Sequence, residues 1–287
     1  MSVAKTRLWP VLRFELIKCF NSKWMFVALS IGILLALSSA IEATQYVYGL
    51  LATHMDYWSN MYSYSNWMVA NCNARLSPTI FFYVVPLLVL IPYAWSAITE
   101  RSNGFDIQVF SRSSKRYVLL SRSITAFCSG FACTAIPLLV NFAVLVLLMP
   151  SIPAIYEDWN VLGIFDDSFL SQLFYSAPLL YVAAMTLVDG ALMGVWALTV
   201  FSLSVFIKNR VMLLTLPYVG LLGWKYFSGQ IFTTLLIQGP SLNFIDDMQG
   251  TFYWTKTDPL FMGLQVLILL AVAMACFVIM RRRELIS

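Results

Sequence analysis

The chain has 287 residues, 60% of them hydrophobic and only 11% charged, with a mean hydropathy of +0.78. A soluble domain carries about 25% charged residues, so this composition excludes an ordinary water-soluble fold and points to a protein that crosses a bilayer several times. The net charge of +4 is spent on topology rather than on a nucleic-acid surface, because no basic groove with interleaved aromatics is present.

The first element is "PVLRFELIKCF", which places Leu12, Leu16, Cys19 and Phe20 on one helical face, with Pro10 in the first turn and Arg13 and Lys18 beside them. This spacing predicts a helix lying in the inner membrane interface, and "NSK" then turns the chain upward. The first span runs from Trp24 to about Tyr48. It is preceded by five basic side chains and exceeds the 7 to 15 residues typical of a signal-peptide core, about the limit for such segments, which argues against a cleaved signal. The outer loop "MDYWSNMYSYSNWMVANC" concentrates Tyr57, Trp58, Met61, Tyr62, Tyr64, Trp67 and Met68, a pattern that predicts a short helix with its rings at headgroup level.

A second span, Ser77 to Thr99, carries no charge. It is followed by the polar island "ERSNGFDIQVFSRSSKRY" and then by the third span, about 123–149. The fourth span covers about 179–207 and contains a Gly190, Gly194 pair spaced for close helix approach, within one subunit or between two. The fifth, 211–227, is the shortest of the six expected spans. Between it and the sixth, 260–280, the segment "SGQIFTTLLIQGPSLNFIDDMQG" is apolar but broken by Gly229, Gly239 and Pro240. Open backbone cannot face lipid, so this segment is expected as a re-entrant or short outer helix covered by protein.

Lys and Arg are retained on the cytoplasmic side of membrane proteins. With both termini inside, 15 of the 18 basic residues fall on one side: in the N-terminal segment, the island, Lys208 and Arg210, and the tail Arg281, Arg282 and Arg283. The opposite loops are acidic, with Asp56, Glu157, Asp158, Asp166, Asp167, Asp246, Asp247 and Asp258, so the two signals agree. Of five cysteines, Cys72 alone falls in an outer loop, and free thiols are expected.

Catalytic chemistry needs converging titratable groups, and the sequence is poor in them. His54 is the single histidine, no Lys follows a Gly, and neither HExxH nor GxSxG occurs, so no metal or phosphate-loop site is expected in this chain. Glu42, Asp189 and Lys225 fall in the outer half of the spans, about 21 to 27 Å from the inner ends at 1.5 Å per residue. Lys225 is expected to pair with Asp189 or Glu42, unless all three snorkel to the headgroups. Asn141 is the other polar candidate for a transport path, in a cavity otherwise rich in Phe, Met, Leu and Trp. A proton relay would need a chain of such groups at the midplane, and none is evident.

The island raises the sharpest question, since a bare loop would not need Phe105, Ile107, Val109 and Phe110. Glu100 and Gly104 after the second span, followed by Ser113, Ser114, Lys115, Arg116 and Tyr117 leading into the third, resemble the permease subunits of type-2 ATP-binding cassette (ABC) exporters. The interfacial helix, the six spans, the outer segment before the last span and the basic "RRREL" end fit the same layout over nearly the full length.

The resemblance implies an all-α integral membrane domain over 1–287 in which the island is a coupling helix seated on a separate ATPase subunit. It implies coupling roles for Glu100, Arg101, Gly104, Phe105, Arg112, Lys115 and Arg116. It also implies two ATPase copies that hold ATP and Mg, a second permease completing a homo- or heterodimer, and a bacterial cytoplasmic membrane as the home. The chain itself would bind no cofactor and catalyse nothing. The expected cargo is amphipathic or hydrophobic, a peptide antibiotic first, a drug or lipid next. A carrier or channel independent of ATP is the alternative, although inverted repeats are not evident. A membrane enzyme is disfavoured by the missing acid, base or metal constellation.

Overall fold

The computed structural model describes residues 8–52, 62–70, 75–94, 98–100, 109, 114–154, 164, 168–207, 209–235, 239–240, 242–249 and 255–286. The helices are α1 (Leu8–Phe20), α2 (Lys23–Ala52), α3 (Ser63–Asn66), α4 (Leu76–Leu88), α5 (Lys115–Leu148), α6 (Ser171–Ser176), α7 (Pro178–Leu203), α8 (Arg210–Leu235), α9 (Phe244–Asp247) and α10 (Pro259–Ile286). Extended pairing among the described residues is limited to Gly239–Pro240 beside Thr255–Lys256.

Four helices, Lys23–Gly49, Arg116–Leu148, Pro178–Leu203 and Pro259–Ile279, are long and apolar enough to cross a membrane. They coincide with the first, third, fourth and sixth expected spans. The fifth expected span lies in α8, which runs on to Leu235, beyond the predicted end at 227. The second is interrupted. Helix α4 ends at Leu88, and residues 89–93 form turns before helical structure returns at Ala94 and again at 98–100. Pro92 explains the break: it has no N–H to give the Leu88 carbonyl, which instead accepts from Ile91 N–H at 3.2 Å, tightening the chain to a three-residue turn.

Helix α5 is the axis of the bundle, packed on α1, α2 and above all α7. Its 34 residues span about 51 Å, well beyond the roughly 30 Å hydrocarbon layer, so its first turns extend past the apolar region. The α5–α7 contact is close because the facing residues are small. A Cβ on Gly130 would stand 2.7 Å from the Met193 carbonyl oxygen, and Cβ atoms on Gly190 and Gly194 would stand 2.7 and 2.8 Å from the rings of Phe131 and Phe127. The Gly190, Gly194 pair is therefore used for packing inside this chain, each glycine seating one phenylalanine of α5.

The outer aromatic loop departs from expectation. Its described part holds the expected short helix, α3, but Trp67, Met68, Val69 and Ala70 after it are buried in the core rather than turned outward. Trp67 meets Phe142 and Tyr181 edge-on at 6.3 Å each, and its indole N–H donates to the Leu138 carbonyl at 3.2 Å. An apolar ring system with its one donor satisfied is more stable inside than in the interface. Tyr57, Trp58, Met61 and Cys72 lie outside the described residues.

The glycine contacts make a direct comparison. Gly130→Ala overpacks the α5–α7 contact and is expected to destabilise by about 1–3 kcal/mol, whereas Gly220→Ala, whose Cβ would meet nothing within 4 Å, is expected to be neutral or slightly stabilising. Thermal melts of the two purified variants, side by side with the parent, check the difference.

Candidate functional site

The densest polar constellation sits where α1, the end of the second expected span and the start of α5 meet. Helix α1 turns Glu15 and Cys19 inward and leaves Trp9, Phe14, Ile17 and Phe20 exposed. Along the predicted stripe Leu12 and Leu16 are half-buried and Cys19 is buried, while Phe20, at its edge, is exposed. The predicted apolar stripe also omitted Glu15, which is only 1% exposed.

Glu15 is buried because its partners arrive from three directions. Arg122, 3% exposed, donates from Nε to Glu15 Oε1 at 3.3 Å and from Nη2 to Glu100 Oε2 at 3.3 Å. Tyr93 Oη donates to Glu15 Oε2 at 3.0 Å. Lys18, one turn along α1, pairs with Glu15 and reaches both Glu100 oxygens at 3.0 Å. Among the described residues, two carboxylates thus meet two cations. Burial pushes the Glu100 carboxyl above its usual range, and Lys18, followed by Arg122, draws it part of the way back. Cys19, one turn from Glu15, has its thiol pushed up to about 12 by the same burial, which leaves it unreactive at neutral pH.

This cluster fixes the root of the polar island. Glu100 opens it and is tied to α1 and α5, and Arg122 lies two turns into α5, whose start closes it. Of the other predicted coupling residues, Arg101, Gly104, Phe105 and Arg112 lie outside the described residues. Lys115 opens α5, and Arg116 is exposed. Glu100 therefore faces its own chain. Sequence reasoning missed Glu15, Tyr93 and Arg122; the available signal was a lone acid one turn before a lysine in an otherwise basic, apolar segment.

The predicted polar residues of the spans have separate partners. Lys225 is held by Asp246 and lies 4.7 Å from the centre of the Tyr83 ring, so in place of the expected pairing with Asp189 or Glu42 it meets a carboxylate of the short helix α9. Burial pushes the Asp246 carboxyl up and Lys225 draws it down. Glu42 instead caps α4: its Oε2 accepts the Ser77 N–H at 3.1 Å and its Oε1 the Ser77 hydroxyl at 2.6 Å. A carboxylate is favourable at that helix start, where N–H groups lack partners within the helix. Asn141 is spent inside the fold, accepting from Met68 N–H at 3.2 Å and donating to the Ala36 carbonyl at 2.8 Å. Asp189 is fully buried in α7, with no hydrogen-bond partner to either oxygen among the described residues.

No group of three or more His, Cys, Asp or Glu side chains is placed to hold a metal ion among the described residues. The arrangement can anchor and transmit force, with no nucleophile and base brought together in it. Together with the four apolar helices, it defines a helical membrane protein whose polar groups clamp helices to one another. Comparison with protein-family models, with curated proteins and with solved structures finds no match to this chain.

Removing one member of a buried ion pair strands the other. Arg122→Met is expected to cost about 3–5 kcal/mol and to free α1, so that Cys19 reacts with a maleimide in the folded protein. Glu100→Gln relieves a desolvated charge and is expected to change stability by less than about 1 kcal/mol, with Cys19 still protected. Melting temperatures and a maleimide time course on both variants check the contrast.

Proposed function

We propose that the chain is the transmembrane permease subunit of an ATP-driven exporter of the type-2 ABC kind. In this reading six spans cross a bacterial cytoplasmic membrane, the second expected span, 77–99 with its break after Leu88, and α8 joining the four long apolar helices, with both termini inside. Helix α1 is the interfacial elbow, and the buried segment 243–249 before α10 is the covered outer element. ATP and Mg belong to two copies of a separate ATPase subunit, and a second permease, identical or different, completes the pathway. Nucleic acid has no part in it.

The observation that supports this reading best is the buried cluster of Glu15, Lys18, Tyr93, Glu100 and Arg122. An element that transmits force from a partner to the spans needs a stiff root, and this cluster locks both ends of the polar island to the elbow helix. A push on residues 101–113 would then move α1, α5 and the end of the second span together. Glu100 belongs to the root, and Arg112 and Arg116 are left to meet the partner, with Arg101, Gly104, Phe105 and Lys115 shaping the seat.

The cargo is amphipathic or hydrophobic, in keeping with the apolar lining of the spans, and a peptide antibiotic is the first candidate, before a drug or a lipid. A carrier independent of ATP would not need a basic island rooted in this way, but it is the reading to which the test below gives way.

Gentle purification of the tagged chain from its native membrane is expected to recover a stoichiometric subunit carrying a phosphate-binding loop, with ATPase activity. Reversing Arg112 and Arg116 to Glu is expected to lose that subunit while the permease stays folded and inserted. A chain that transports when purified alone would overturn the proposal in favour of the carrier.

A further inference from the structure

The outward side of α1 is apolar and positively charged, and it carries no acid. Glu15, the acid of this helix, turns inward to Arg122, Tyr93 and Lys18. On the outward side Trp9, Arg13, Ile17 and Phe20 follow one another at spacings of four, four and three residues, so they form one row, and all four are exposed. Among the described residues no acid pairs with Arg13. An arginine flanked by rings and aliphatic groups suits the headgroup boundary, where its stem lies with the apolar side chains and its guanidinium reaches phosphate.

The turn at Asn21 and Ser22 carries this surface on to Lys23, which opens α2. Lys23 is exposed, with its ammonium 5.6 Å from the centre of the Trp24 ring, and no acid among the described residues pairs with it. A second exposed row starts from it, with Phe26, Val27, Ile31 and Leu34. From Lys23 to Leu34 the row covers about 16 Å at 1.5 Å per residue, about half of the roughly 30 Å hydrocarbon layer. That is the depth of one leaflet. Glu42, the acid of α2, lies further out and is spent on Ser77. Two cations at the foot of an apolar row one leaflet long match an amphiphile with a negative head. A neutral helix of another protein would cover the row and leave the cations unanswered.

We propose that the outward side of α1 and the first turns of α2 form a binding site for an anionic phospholipid of the inner leaflet. Arg13 and Lys23 hold its phosphate, and one acyl chain lies along Phe26, Val27, Ile31 and Leu34. The site rests on the placing of α1 at the inner interface and needs neither the ATPase nor a cargo. Because Glu15 and Lys18 belong to the same helix, a lipid held on its outward side steadies the buried cluster on the other.

The test is native mass spectrometry of the purified, detergent-solubilised chain with equal amounts of dioleoylphosphatidylglycerol and dioleoylphosphatidylcholine. The anionic lipid is expected to be retained in about fivefold excess or more, since one basic side chain near an anionic surface is worth about that factor. Arg13→Gln combined with Lys23→Gln is expected to abolish the preference, and Arg13→Lys combined with Lys23→Arg to keep it. Arg210→Gln, at the start of α8, is expected to leave it unchanged. Glycerol 3-phosphate, a head without chains, is expected not to displace the lipid. Equal retention of the two lipids, a preference that survives the double neutralisation, or one that Arg210→Gln lowers as much, would overturn the proposal. Displacement by glycerol 3-phosphate would overturn the lipid assignment in favour of a simple anion site. None of these outcomes touches the ATPase partner, so the lipid site and the permease reading fail separately.

Discussion

A carboxylate buried beneath the bundle is the constraint around which the rest is arranged. Glu15 is almost fully enclosed, and in that position it is tolerable only with a cation and a hydroxyl against it. Arg122 and Tyr93 supply them from two different parts of the chain, and Lys18 and Glu100 complete the set. Satisfying one acid therefore fixes the angle of α1, the end of the second expected span and the start of the central helix. A purely apolar base could slide, whereas a set of five directional contacts has one register. The outward face of α1, with Trp9, Phe14, Ile17 and Phe20, is then left for the membrane interface.

Above the base the same economy recurs with smaller groups. Asn141 joins α5 to α2 and to the buried loop through one amide, Glu42 closes the exposed start of α4, and Lys225 ties α8 to the short helix α9 through Asp246. In a setting where water cannot compete, each such contact is a specific tie between helices. Glycines at the α5–α7 contact do the complementary task, bringing backbones close where no polar group is used. Asp189 departs from this pattern, since neither of its carboxylate oxygens has a hydrogen-bond partner among the described residues.

Much of the framework was legible from hydropathy alone. The four long apolar helices fall where uncharged runs of about 20 residues predicted them, because run length is set by the thickness of the bilayer and owes little to neighbours. What escaped depends on neighbours. The burial of Glu15 in α1 is not visible in apolar spacing, because its place is set by Arg122 and Tyr93 from distant parts of the chain. The burial of Trp67 is likewise invisible to composition, being set by the Leu138 carbonyl and the rings of Phe142 and Tyr181. Lys225 lies at a depth that suits two acids, but its partner Asp246 comes from α9, a four-residue helix whose position no periodicity predicts. Pro92 marks the break after Leu88, but hydropathy alone does not show it because the run stays apolar through it.

The claim that the base is held by charge pairing, and not merely by apolar contact, is tested most directly by a double-mutant cycle between Glu15 and Arg122. Stability of the purified protein would be measured for Glu15→Gln, Arg122→Met and the two combined. The account predicts a coupled pair, in which the double variant recovers at least about 1 kcal/mol relative to the sum of the singles, since removing both charges strands neither. Strictly additive losses would contradict it and reduce the cluster to neighbouring charges without a structural bond.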